Sequence, residues 1–294
     1  MAAIPSIIAL FLAGIGWGTT TASDTSLVEV TSLGAFQQAS RLATNPQGWM
    51  YVTDVERNLV YLFKDGESSG ISVGGYGWIS TTFDHPTGLA TDGLNLYVAD
   101  YGNHRLQRFD RYLNFISSFS TRDTSYAAAR FGYPLGVALS RLGDLFVLDG
   151  ENLRVVKFVQ NVVFERAFGD IDDQRARLRQ PLKIIVAPND HVFVLEPDRL
   201  LEFDYFGQYL RTVGEGTLHD ATGFSLSADG LVVATHNSII WFGARGDVTH
   251  QLSAADLHTE TPLTQIEDVA SAGDRLLILS STRLHVFTSS TSGH

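Results

Sequence analysis

Cysteine is absent from the 294 residues. No disulfide can staple this fold, no thiolate can hold a metal or attack a substrate, and no N-terminal cysteine can be acylated. Basic residues are scarce as well: 21 Lys and Arg stand against 32 Asp and Glu, giving a formal charge of −11. Binding to a phosphate backbone or an anionic lipid surface needs clustered Lys and Arg, so this balance opposes nucleic acid as a partner. The one basic cluster, Arg175–Arg179, is flanked by Asp170, Asp172 and Asp173, which cancel most of its field, and it reads as a solvated loop. Gly-x-Ser-x-Gly is missing, and the glycine-rich Gly74–Trp78 has no following Lys-Ser/Thr, so neither a serine nucleophile elbow nor a phosphate loop is present. Gly74–Trp78 instead marks a crossing between repeats where Tyr76 and Trp78 pack or line a rim.

The longest apolar run, Ile4–Trp17, falls short of the roughly 20 residues a membrane helix needs. Small residues follow it, with Thr21 and Ser23, or Thr20 and Ala22, placed as a cleavage site. No Lys or Arg precedes the run. A secretory signal over residues 1–23 is expected, with a mature chain from Asp24, a periplasmic or extracellular location and no stable membrane anchor after cleavage. The alternatives are a buried N-terminal strand or a retained anchor.

With 44% hydrophobic and 18% charged residues, the chain has ample material for a core. That material is organised as a repeat. Phe63, Phe109, Phe158, Phe203, Phe242 and Phe287 recur every 39 to 49 residues, the length of one four-stranded propeller blade. An alternating apolar strand precedes each: Trp49–Asp54, Asn95–Asp100, Asp144–Asp149, His191–Glu196, Leu231–His236 and Leu276–Ser281. Upstream of these lie inner strands that begin with proline and continue with glycine and alanine, Pro86–Ala90 and Pro134–Ala138. Pro181–Ala187 is a looser copy, Ala221–Leu226 keeps the glycine and Ile266–Ala270 keeps little. Proline fixes φ where no ladder donor is lost, and small residues suit strands crowded around a central channel. Glycine-bearing turns at 91–93, 142–144 and 228–230 join first and second strands. The last repeat has three strands, ending at Arg283–Ser290, and Ser26–Leu33 supplies the missing outer one, which removes open sheet edges. The expected fold is all-β, a six-bladed β-propeller over residues 24–294, closed by an N-terminal strand.

These residues resemble the NHL-repeat family of β-propellers. Its pattern of P-x-G-h-A, h-Y-V-A-D and N-x-R-h-x-x-F (h apolar) is matched best at Pro86–Phe109, through Tyr97, Val98, Ala99, Asp100, Asn103, Arg105 and Phe109. Pro134–Phe158 is the second good match, through Asp149, Asn152, Arg154 and Phe158, whereas blades four to six put Glu196, His236 and Ser280 where the aspartate belongs. Propellers host binding proteins, scaffolds and unrelated enzymes, so the resemblance implies a fold more than an activity.

Asp54, Asp100 and Asp149 recur with Arg105, Arg154, Arg199 and Arg283, which favours turn-bracing pairs over a catalytic centre that needs one acid only. The expected contact surface is the mouth built by loops at Phe83–Pro86, Tyr101–Arg105, Phe131–Pro134 and Gly150–Arg154. Its candidate binding residues are Phe83, His85, Tyr101, Arg105, Tyr133 and Arg154, an aromatic and arginine mixture favoured at interfaces. No catalytic residue, metal or other cofactor is expected, and the partner is a protein or small ligand. The rival expectation is a metal-dependent lyase or lactonase-type hydrolase at the same mouth. A resemblance to propeller lyases would need several histidines converging on a central zinc; the corresponding loops of blades three and four hold none, so the donors would be the mixed set Asp84, His85, His219 and Asp220.

Overall fold

A computed structural model describes residues 26–290, apart from 161, 172, 173, 262 and 264. The proposed signal segment and its cleavage site lie outside the described residues, as do Asp172 and Asp173. The described chain forms six four-stranded antiparallel sheets, each a propeller blade. Five blades are built from consecutive strands. The sixth joins Ile266–Ala272, Arg275–Ser280 and Leu284–Ser290 to the N-terminal strand Ser26–Leu33.

That closing strand pairs from Ser26 opposite Ser290 to Leu33 opposite Leu284, with an irregularity between Glu29 and Thr31. Glu29 there turns its carboxylate to the buried ring of His285, 2.7 Å from Nδ1. Closure therefore rests on a backbone ladder and on one polar contact sealed beneath it.

The phenylalanines that set the repeat are core residues, each no more than 2% exposed. They lie between blades. Phe109 of blade two packs with Leu96 and Val98 of its own sheet and with Tyr51, Val60 and Leu62 of blade one. Ring pairs such as Phe119–Phe158, at 5.0 Å and nearly perpendicular, tie blade two to blade three.

The inner strands run Ala39–Thr44, Pro86–Thr91, Pro134–Leu139, Lys183–Val186, Ala221–Ser227 and Ile266–Ala272. Five of them carry a register break next to the first residue, a bulge that bends the strand as it enters the ring. Crowding is real at the third position. A Cβ on Gly88 would stand 2.4 Å from the Cα of Gly136, and one on Gly223 would stand 2.1 Å from Asp268 Oδ1.

Arg41, Lys183 and Asp268 occupy the same position in blades one, four and six. Lys183 Nζ reaches both Asp268 oxygens at 2.6 and 2.7 Å, and Asp268 also accepts the Leu42 amide at 2.9 Å. Arg41 donates to the Leu182 carbonyl at 2.9 Å. Gly223 in blade five leaves the volume that Asp268 fills.

Candidate functional site

Each well-formed blade braces its upper face with a buried carboxylate. Asp100 accepts the Asp84 amide at 2.8 Å, Arg105 Nε at 2.7 Å, Gln107 Nε2 at 3.1 Å and the side-chain amide of Asn103. Asp149 repeats the arrangement with the Gly132 amide, Asn152 Nδ2 and Arg154 Nε. Glu196 does so in blade four, holding the Arg179 and Gln180 amides and Arg199 Nε. The carboxylate thus fastens the loop arriving from the previous blade to the turn leaving its own second strand. Fully buried and engaged by several donors, these groups have no free lone pair aimed at a ligand.

Blade five differs from the repeat pattern read in the sequence. Pairing sets Thr235 opposite Ala221, just as Asp100 stands opposite Pro86 and Asp149 opposite Pro134. Thr235, not His236, therefore occupies the carboxylate position, and its hydroxyl accepts the Ser238 amide at 3.0 Å. His236 is the first turn residue, the counterpart of Tyr101. In blade six Ser280 does fill the position, accepting the Arg283 amide at 3.0 Å.

The candidate binding residues divide into three groups. Phe83 is a correction: it is fully buried among the blade one and blade two core and offers no surface, and neighbouring Phe131 is buried likewise. A phenylalanine three residues before the inner strand is drawn inward because the space between blades is apolar there. Arg105 and Arg154 sit at the face but act inward. Beyond its aspartate, Arg105 donates to the carbonyls of Trp78, Ile79 and Thr82, and Arg154 donates to that of Arg130. They position loops.

The remaining residues converge. Tyr101 and Tyr133, from a turn and an interblade loop of adjacent blades, bring their rings to 5.1 Å. His104 lies 4.0 Å from the Tyr133 ring, and its Nδ1 accepts the Tyr133 amide at 3.1 Å. Burial, with Arg122 nearby, lowers the His104 pKa against the opposing pull of Glu151 and Asp84, so its ring is held neutral. Accepting through Nδ1, that neutral ring carries its proton on Nε2. His104 and Tyr133 both have left-handed backbone, at φ 50° and 46°, as does His85 at 56°. Such conformations are uncommon outside glycine and persist where surrounding contacts impose them. His85 remains largely exposed, with Nδ1 2.6 Å from Asp84 Oδ1.

The sequence pointed less clearly to the surface beside this ledge. The loop held by Arg105 and by Asn103, whose Nδ2 donates to the Gly77 carbonyl at 2.8 Å, projects Tyr76, Trp78 and Ile79, each about two-thirds or more exposed. Glycines at 74, 75 and 77 flanking two aromatics were the available signal.

The metal-bearing alternative needs donors that converge. Asp84 and His85 pair with each other, His104 Nδ1 is occupied, and His219 and Asp220 belong to blade five. Among the described residues no group of three or more His, Asp or Glu is close enough to hold an ion. The donor set does not fit zinc or calcium.

Comparison with known proteins agrees with this architecture. The family model described as NHL repeat matches residues 83–109 and 131–158, the two blades that keep aspartate, asparagine and arginine together in the brace and carry the aromatic ledge. Protein brain tumor of Drosophila melanogaster is 25% identical over 133 residues, 43% of this chain and 13% of that protein, so the chain spans only a small part of the relative's length. Among solved structures, a streptogramin B lyase superposes with a TM-score of 0.62 at 10% identity, over 90% of this chain and 98% of its own. Virginiamycin B lyase from Staphylococcus aureus gives 0.60 at 11%, over 90% and 99%. A gluconolactonase-like propeller gives 0.64 at 14%, over 91% and 93%. At these identities the likeness shows the fold alone.

Proposed function

We propose that this chain, an NHL-repeat β-propeller, is an exported, non-catalytic module that binds a protein or small-ligand partner through the aromatic ledge of blades two and three. The observation that carries this reading is the Tyr101–His104–Tyr133 cluster. Two loops from different blades are held in left-handed conformations so that rings meet at the surface. Rigid aromatics offer contact area at little entropic cost, and such residues dominate binding energies at interfaces. Tyr76, Trp78 and Ile79 extend the apolar surface along the same rim. The buried, fully engaged carboxylates of this face support binding over acid–base chemistry, and the apolar run at Ile4–Trp17 supports export.

The test is capture from the exported fraction by the full chain, followed by affinity measurement with the captured partner. Tyr101→Ala with Tyr133→Ala should weaken binding by about a hundredfold, two hot-spot side chains at about 1–2 kcal/mol each. Unchanged capture by a folded double variant sinks the assignment. Intact mass of the exported protein should place its first residue near Asp24. Stoichiometric zinc or calcium that is lost in His85→Ala would instead favour the metal-dependent lyase or lactonase.

A further inference from the structure

The turn that links third and fourth strands also caps the gap to the preceding blade. In blade two it carries Leu113 into the core shared with blade one, and the Arg111 carbonyl accepts the Tyr51 hydroxyl at 2.9 Å. In blade four it sets Tyr205 against Phe146 of blade three, with ring centroids 6.2 Å apart. Blade six does not repeat this. Its third strand ends at Ser290 and its fourth begins at Ser26, so the two are paired without a turn between them. Among the described residues no such turn covers the gap between blades five and six. A cleft of about 490 Å³ opens there on the lower, outer side.

The floor of the cleft is the core of that gap. Buried Leu276 and half-buried Leu27, Trp241 and Leu252 line it. Trp241 stands opposite the exposed His250 in the ladder, and the two rings meet at 5.1 Å with a 55° tilt. In blade three the matching position is Lys157, sealed beneath the Tyr205 ring. The missing turn thus leaves an indole uncovered where blade three keeps a fully buried side chain. At the rim stand Asp229 and Asp274, both exposed, from the first turns of blades five and six. Neither enters an ion pair within 4.0 Å among the described residues. Arg275 also lines the cleft, but both its terminal nitrogens are held by Asp65 of blade one, at 2.6 and 3.0 Å. The unmatched charge over this apolar floor is negative.

We propose that this cleft binds a small organic cation, an ammonium group carried on an apolar body. The body takes the place of the missing turn over Leu27, Leu252 and Leu276. The ammonium group lies over the Trp241 face, with Asp229 and Asp274 as its counter-charges. The ring quadrupole of an indole attracts a cation more strongly than that of tyrosine or phenylalanine. An anion of the same shape would meet two unmatched carboxylates and a chain whose formal charge is already −11. A neutral body would gain the floor contacts alone. The volume suits such a molecule, since ligand cavities run from about 300 to about 1,000 Å³. The cleft lies on the face away from the aromatic ledge and does not depend on it.

The experiment is calorimetric titration of the full chain with benzyltrimethylammonium chloride at about pH 8, where an ordinary imidazole is neutral and carboxylates are ionised. Benzyl alcohol and sodium phenylacetate, a neutral and an anionic counterpart, are titrated at the same ionic strength. The ammonium should bind about tenfold or more tightly than either, the scale of a desolvated cation–π contact. Trp241→Leu, which keeps an apolar floor, should weaken it about tenfold. Asp229→Asn with Asp274→Asn should weaken it about three- to tenfold, the scale of two exposed charge pairs. That double variant alters exposed side chains only, so it decides the matter even if Trp241→Leu fails to fold. Tyr101→Ala with Tyr133→Ala should titrate as the parent does, which separates this site from the ledge. Absence of binding at millimolar ammonium overturns the proposal, as does equal affinity for phenylacetate. So does an Asp229→Asn, Asp274→Asn protein of unchanged circular dichroism that binds like the parent.

Discussion

Replacing Asp100 by alanine removes one acceptor from four donors at once: the Asp84 amide, Arg105 Nε, Gln107 Nε2 and Asn103 Nδ2. The aspartate is fully buried and the Arg105 side chain only 13% exposed, so neither partner can recover full hydration. Breaking a buried pair by deleting one member costs about 3–5 kcal/mol. For a chain of this size that is a fall in Tm of about 6–20 °C. Arg105→Ala should cost less, about 1.5–3 kcal/mol, because Asp100 keeps its other three donors. Urea unfolding of both variants gives the free energies, and hydrogen exchange at the Asp84 amide reports the loop directly. Asp100→Ala should speed that exchange and weaken ledge binding, since Arg105 would lose the group that aligns its grip on residues 78–82. A loss below about 1 kcal/mol, the range of exposed surface pairs, would refute the view that this carboxylate braces the face.

Two further outcomes follow from the same geometry. Deleting Leu27–Leu33 opens the sixth sheet and uncovers His285, so cooperative unfolding should shift to markedly lower temperature; an unchanged Tm would mean that this strand does not hold the ring. Glu267 has a folded pKa raised above its ordinary 4.5, so its ionisation costs stability as pH climbs through the folded value. Glu267→Gln should therefore match the parent below about pH 4 and exceed it near neutrality, and urea midpoints across that range check the sign.

How much of this was legible in the sequence depended on whether the signal was local. The six blades were, because each buried phenylalanine and each alternating second strand repeats within its own blade. Closure by Ser26–Leu33 was legible too, because a sheet of three strands leaves an unpaired edge and only one unassigned alternating run remained. Phe83 was misplaced because alternation does not extend into the interblade loop. A loop aromatic faces inward or outward according to the gap it meets, and that gap belongs to the neighbouring blade. The Thr235 and His236 shift has a related cause: with the aspartate gone, the turn of blade five loses the mark that fixes its register. Lys183 and Asp268 lie 85 residues apart, and Asp268 and Leu42 lie 226 apart. Neither contact has any trace in local pattern.

The same comparison shows where this propeller departs from uniform repetition. Where aspartate, asparagine and arginine are all kept, in blades two and three, they immobilise loops, and the exposed aromatics between them become a defined surface. Where blades lose the pattern, the substitutions point into the channel. Gly223 leaves the space that Asp268 fills, since a Cβ there would stand 2.1 Å from Asp268 Oδ1, so charge in one blade and glycine in its neighbour are one arrangement. A buried cation is stable only if paired, and replacing an ion pair by apolar side chains is often neutral or favourable to stability. Stability alone therefore does not account for a lysine and an arginine on inner strands whose other channel-lining side chains are mostly aliphatic.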